Sequence, residues 1–206
     1  MRQMAWVIVG LGNPGEEYDA TRHNAGRMAL EHFAAAKDFT PLKEDKKNKV
    51  RVSRGMLKPV SAGRQGTLVA LIAPDTYMNT SGTAVVKYVK SIKAAERMVV
   101  IYDDLDLPLG TIKISFDRGS GGHKGLESVT RAVRTKKFTR VRIGVSSSTA
   151  SGALKKPPGE KEVLDFILSK FRSNEMEELK RVFKRVDYVL ECIVIKGYLR
   201  AMNEFN

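Results

Sequence analysis

The chain predicts an α/β fold: one domain over residues 1–206, in three layers, with a twisted mixed and mostly parallel sheet flanked by helices. Three observations carry this reading. Short apolar runs at 5–9, 68–73 and 98–102 lack the alternation of half-solvated strands and suit strands buried on both faces. Stretches with helical spacing fall between them. Polar, reactive residues gather at the ends of the runs, where open α/β sheets collect their sites.

The elements follow in order. The run at 5–9 ends in glycine and is the first strand. Met28, Ala29, Leu30, Phe33 and Ala36 then space out an amphipathic helix over 25–37. Residues 49–57 alternate weakly, and 68–73 is a central strand. Val85, Val86 and Val89 share one face of a helix over 81–93. The strand 98–102 delivers Asp103 at its carboxyl end. Ile112, Ile114 and Phe116 mark a strand over 111–116, followed by a helix over 123–134 and the strand 141–145. Serines, glycines and prolines make 146–161 a flexible connection, with a lid as the functional alternative. The last helix starts near Ser173 or Asn174, either a fair N-cap, and Leu179, Val182, Val186, Val189 and Ile193 carry it to about Ala201.

Composition narrows the class. With 206 residues, 42% hydrophobic and 29% charged, the chain has an ordinary globular balance. A net charge of +13 favours a polyanionic partner. The lone Cys192 allows no internal disulfide or cysteine metal cluster, and its apolar setting suits a core thiol. No apolar run approaches the ~18 residues of a membrane span. The strand entered at Ala5 leaves no room for a signal or transit peptide, so the expected location is the cytoplasm, or a mitochondrion if the source is eukaryotic.

Three polar blocks hold the chemistry. The first is Gly10-Leu11-Gly12-Asn13-Pro14-Gly15 with Thr21-Arg22-His23-Asn24-Ala25-Gly26. The second is Pro74-Asp75-Thr76-Tyr77-Met78-Asn79-Thr80-Ser81-Gly82. The third runs from Asp103-Asp104-Leu105-Asp106 to Gly119-Ser120-Gly121-Gly122-His123-Lys124-Gly125. Among the histidines, His23 stands between polar neighbours ahead of a helix and suits a general base with a reference pKa of ~6.5. His32 lies in an apolar helix, and His123 in a glycine turn suited to orienting backbone. A base needs a carboxylate on its other ring nitrogen. Asp103 is best placed, with Asp104 and Asp106 as alternatives. Read as metal ligands, the three aspartates lack the glycine turn and distal glutamate of a calcium loop, so no metal is expected. Gly10, Gly12 and Gly15 match a dinucleotide fingerprint, but the acidic residue expected about 20 positions on is missing, so no cofactor is expected. Asn13 is a held side-chain amide or an Asx-turn. Asn79 is a helix N-cap or a peptide-backbone contact walled by Tyr77 and Met78. Ser81 and Ser120 lack a nucleophile elbow, which favours attack by water.

Gly121 and its neighbours expose backbone N–H groups suited to a phosphate or carbonyl oxygen, or else simply make a tight turn. Arg134, Lys136, Lys137, Arg140 and Arg142 form one basic cluster, and Lys43, Lys46, Lys47, Lys49, Arg51 and Arg54 another. Together they suit a nucleic-acid backbone, with Lys113, Arg134, Lys136 and Arg142 as the candidate phosphate contacts.

In order and spacing, the three blocks resemble the signatures of the bacterial-type peptidyl-tRNA hydrolase family over nearly the whole chain. The resemblance implies a single α/β domain without metal or cofactor, a monomer that frees peptides from peptidyl-tRNA. It implies His23 as base and Asp103 as its orienting carboxylate. Asn13 and Asn79 would grip the peptide end and the attacking water, and Tyr18 would face the tRNA terminus. The family usually has asparagine where this chain has Lys124, which keeps a donor but loses an acceptor; it would instead reach a terminal phosphate or ribose. The rivals are an RNA-binding relative without catalysis and a dinucleotide-dependent oxidoreductase.

Overall fold

The computed structural model describes residues 6–58, 66–149 and 153–206. Strand β1 (Trp6–Gly10) lies at the centre because its side chains are buried on both faces: Val7 and Val9 enter one core, Ile8 the other. It pairs in parallel with β4 (Thr67–Pro74) and β5 (Met98–Pro108), and β5 pairs in parallel with β7 (Thr139–Ser148). The edges are antiparallel: β2 (Lys43–Asp45) and β3 (Val50–Leu57) extend from β4, while β6 (Ile112–Phe116) and β8 (Leu154–Lys155) pair with β7. The order is β2-β3-β4-β1-β5-β7-β6. Among the described residues four of the seven pairings are antiparallel. The sheet is mixed as expected, with its parallel part confined to the centre and its antiparallel pairings toward the edges.

Helices cover both faces. Helix α1 (Ala25–Ala36) and a long C-terminal helix (Ser173–Lys196) pack Leu30, Phe33, Val186 and Ile193 on Ile8, Leu71, Val99 and Ile101. On the other face α2 (Ser81–Val85) and a helix over Lys124–Val133 pack Val85, Leu126 and Val129 on Val7, Val9 and Val100. In chain order, α3 is Ile92–Ala95, α4 is Lys124–Val133, α5 is Glu160–Leu168, α6 is Ser173–Lys196 and α7 is Tyr198–Phe205.

Three expectations change. The helix over 81–93 is two short helices, since Ser91 caps α3 by accepting from Ala94 N–H at 3.1 Å. The last helix stops at Gly197, whose φ of 90° is left-handed, and α7 starts afresh. Neither Ser173 nor Asn174 caps α6: Ser173 is already helical, and the Glu175 carboxylate reaches back to Arg172 N–H at 2.8 Å. The third is the connection 146–161. β7 continues to Ser148, β8 pairs back on it, and α5 begins at Glu160. Val163, Phe166 and Ile167 carried the helical spacing that the prolines before them obscured. Ala150, Ser151 and Gly152 lie outside the described residues.

Gly26 marks the closest approach of α1 to the sheet. A Cβ there would overlap the Ile101 carbonyl oxygen, which is fixed in the ladder. Gly26→Ala is therefore expected to cost about 1–3 kcal/mol in urea unfolding, the usual range for overpacking a rigid core.

Candidate active site

The last parallel pair between β1 and β5 joins Gly10 to Ile101, so Asp103 stands just past the end of β1. After β1 the chain returns through 3-10 turns at Glu16–Tyr18 and Arg22–Asn24 and runs into α1. The second turn is tied down: Arg22 N–H donates to Ser169 O, and Arg22 Nη2 meets both Glu175 oxygens at 2.9 Å. This places His23, only 6% exposed, against Asp103, only 3% exposed. His23 Nδ1 lies 3.0 and 2.9 Å from the two Asp103 oxygens. Of the three aspartates Asp103 is the one that meets His23; Asp104 pairs with Arg142 at 2.6 Å and Asp106 with Lys156 at 2.6 Å.

Sequence reasoning missed a second imidazole on the same carboxylate. His123 Nε2 lies 3.0 Å from Asp103 Oδ1, while its Nδ1 accepts the Leu126 N–H at 3.1 Å and caps α4. The two imidazole rings sit 4.9 Å apart. The backbone donor settles the tautomer of His123: Nδ1 holds a lone pair, so Nε2 carries the proton and donates to Asp103. His23 Nδ1 likewise donates to the carboxylate, which leaves a lone pair free on its Nε2.

Burial alone would lower the His23 pKa, but the Asp103 charge and hydrogen bond outweigh it and hold the pKa above 6.5. Burial would raise Asp103, yet the two imidazoles beside it keep its carboxyl well below the usual carboxylate range. Tyr102, packed edge-on to His123, is pushed up to about 12, mainly by burial and then by the charge of Asp104. It stays a neutral phenol.

The pair opens on a cavity of about 780 Å³ lined by His23, Asp103, His123, Gly121 and Lys124, with Val163, Leu164 and Ile167 of α5 as its apolar wall. Gly121 and Gly122 adopt left-handed φ values of 62° and 81° ahead of α4. Lys124 is exposed on the first turn of α4. Ser120 Oγ contacts Glu127 at 3.1 Å, and buried Ser81 has no side-chain partner, so neither is joined to a base.

The other predicted residues stand around this cavity rather than in its lining. Asn13 Oδ1 accepts the Met78 N–H at 2.8 Å, and Asn24 clamps the Asn13 backbone from both sides, accepting from its N–H at 2.8 Å and donating to its carbonyl at 3.0 Å. The Asn13 amide nitrogen keeps its donors. Asn24 was overlooked, although it adjoins His23. Met78 is buried, whereas Tyr77 and Asn79 are exposed. Asn79 lies within the 3-10 turn Met78–Thr80 and does not cap α2. Tyr18 is half-buried in the turn Glu16–Tyr18.

The basic clusters need correction. Arg142 is 7% exposed and bonded to Asp104, and Arg140 is fully buried over the Phe138 ring. Strand β7 lies between β5 and β6, so these two cations face the interior and are not phosphate contacts. Lys113, Arg134 and Lys136 remain exposed. The cluster Lys43 to Arg54 sits on β2 and β3, at the opposite edge of the sheet, so the two clusters do not form one patch.

Among the described residues, the donor atoms of His23, Asp103 and His123 lie within 4.8 Å of one another and are the group that could hold a metal ion. Both imidazole–carboxylate separations are those of direct hydrogen bonds, and the second nitrogen of His123 is taken by backbone, so the set fits protons. The glycines Gly10, Gly12 and Gly15 pack on α1 or turn the chain: a Cβ on Gly12 would press on Arg27 and Asn24.

A family model described as peptidyl-tRNA hydrolase matches residues 7–206. The peptidyl-tRNA hydrolase of Syntrophotalea carbinolica is 39% identical over 201 residues, covering 97% of this chain and 96% of its own length. That of Chloroflexus aggregans is 38% identical over 204 residues, covering 98% of each. The crystal structure of peptidyl-tRNA hydrolase from Acinetobacter baumannii superposes with a TM-score of 0.82 at 32% identity, covering 99% of this chain and 96% of that one. Family match, sequence identity and fold agree, and the chain belongs to the peptidyl-tRNA hydrolase family.

Proposed function

We propose that the chain hydrolyses the ester joining a peptide to the 3′ ribose of tRNA, with His23 as general base. The observation that carries this is the buried His23–Asp103 hydrogen bond at the cavity wall, which frees Nε2 for substrate water. Nε2 takes a proton from the water as its oxygen attacks the ester carbonyl. Collapse of the tetrahedral intermediate breaks the bond to the ribose oxygen, and the proton on Nε2 passes to that oxygen. The amide nitrogen of Asn13 steadies the water or the oxyanion; a donor of this kind contributes on the order of 3 kcal/mol. Every step is assigned to side chains and water. Tyr77, Met78 and Asn79 bind the peptide beyond the ester, which spares free aminoacyl-tRNA. Tyr18, Lys124 and the N–H groups around Gly121 meet the tRNA terminus, and the chain acts as a cytoplasmic monomer. Among the described residues no helix is long and apolar enough to cross a membrane.

The test is release of tRNA from N-acetylaminoacyl-tRNA as a function of pH. The reactive form is neutral His23, and its imidazolium is stabilised by Asp103, so the rate is low in acid and rises through a midpoint above pH 6.5. No release of tRNA, or a limb well below that value, contradicts the assignment.

Exposed Lys113, Arg134 and Lys136 are the phosphate contacts in this reading. Three contacts on a single-stranded end give a log–log salt slope of about −2, and Lys113→Ala is expected to reduce its magnitude by about 0.7. Binding titrations between low and moderate salt check this, and a flat profile removes the contacts.

A further inference from the structure

We propose that His123 is a second positioning residue, which holds Asp103 through its Nε2–H and thereby sets how strongly His23 takes a proton. This rests on the reading of His23 as base. The geometry assigns the two nitrogens of His123 to separate tasks. Nδ1 is occupied by the Leu126 N–H at the start of α4, so it has no free lone pair with which to act as a base. Nε2 donates to Asp103 Oδ1, the oxygen that His23 Nδ1 also approaches at 3.0 Å. One carboxylate thus serves two donors, and the charge it offers to one is reduced by the other. Tyr102 packs edge-on against the His123 ring and limits its rotation. The glycine turn and α4 are therefore linked through one side chain to the base on the 3-10 turn Arg22–Asn24.

Losing the Nε2 donor has a definite sign. Asp103 would then direct its full charge at His23, stabilising the imidazolium, and would be free to rotate. The imidazolium becomes harder to deprotonate, so the neutral form appears only at higher pH, and the ring is less well aimed. The other titratable and charged groups that share the cavity with His23 are Tyr102, Asp104 and Asp106 on β5, Lys124 on α4, and Glu160 and Lys161 on α5, with Arg22 beside it in the chain. None of these is altered by the test.

Two variants separate the tasks. His123→Asn places an oxygen near the Nδ1 position, keeping the cap on Leu126, but is too short to reach Asp103. His123→Gln places an amide donor near the Nε2 position and gives up the cap. With N-acetylaminoacyl-tRNA, His123→Asn is expected to lower kcat by about 10- to 100-fold, the worth of one hydrogen bond to a charged group. KM should hold within about twofold and the acid limb should move to higher pH, with Tm retained through the cap. His123→Gln should recover most of kcat and return the limb to its wild-type position. An unmoved limb with kcat near wild type in His123→Asn overturns the inference, as does a loss in both variants that tracks a fall in Tm. His23→Ala is run alongside. If it is inactive while His123→Asn is unaffected, this inference alone fails; if it is active, the base assignment fails with it.

Discussion

Replacing His23 with alanine is expected to lower ester hydrolysis by about 10²–10⁴-fold, the contribution of a positioned general base. The side chain is almost fully buried, yet its polar contacts are with Asp103 alone among the described residues, so secondary structure and tRNA affinity should hold. Removing it leaves an unpaired lone pair on Asp103, whose remaining partner is His123. The loss should therefore fall on kcat, and the acid limb of the pH profile should disappear with the titrating group. Imidazole added to the buffer should restore part of the rate, because the vacated ring site opens on the cavity. A His23→Ala protein with wild-type turnover would remove this residue from the base role.

Asp103→Asn is the second large effect, expected on the order of 10⁴-fold in kcat by analogy with aspartate-to-asparagine changes in hydrolytic triads. The variant keeps shape but changes the proton arrangement. Two imidazole N–H groups converge on the wild-type carboxylate, and its two oxygens accept both. An amide offers one acceptor and one donor. His123 cannot turn its Nε2 into an acceptor without giving up the Leu126 N–H, so the amide oxygen goes to His123 and the amide nitrogen to His23. His23 Nδ1 must then accept, which puts the proton on Nε2 and abolishes the base. Heteronuclear NMR of the histidine side chains should show His23 protonated on Nδ1 in the wild type and on Nε2 in the variant. Retention of the Nδ1 tautomer, or a rate loss below about tenfold, would contradict this account. The charge lost with Asp103 should also lower the His23 pKa, since the shift upward comes from that charge against the opposing effect of burial.

Much of the molecule was legible in one dimension. Buried strands show as unbroken apolar runs because both faces are covered, and β1, β4 and β5 appeared that way. Asp103 stood out because a charge ending an apolar strand needs a partner, and His23 because it sits between polar neighbours ahead of a helix. Features resting on pairs distant in sequence did not show. The break at Ser91 and the stop at Gly197 are local signals that a continuous apolar stripe masked. Helix α5, which walls the cavity, was hidden by the prolines and glycine ahead of it.

Periodicity, composition and motif order were enough to indicate the class of fold and the family and to single out His23 and Asp103 as candidates, since each of these marks is written in neighbouring residues. Which cations reach solvent, which oxygens His123 finds and how Asn24 grips Asn13 depended on folding. Arg140 and Arg142 read as surface charge until β7 was placed between β5 and β6, where burial and Asp104 claim them. His123 lies 20 residues from Asp103 and His23 lies 80, so only the close approach of β5, the start of α4 and the turn before α1 brings two imidazoles to one carboxylate. Electrostatic coupling falls with distance in space, and sequence separation carries no record of that distance.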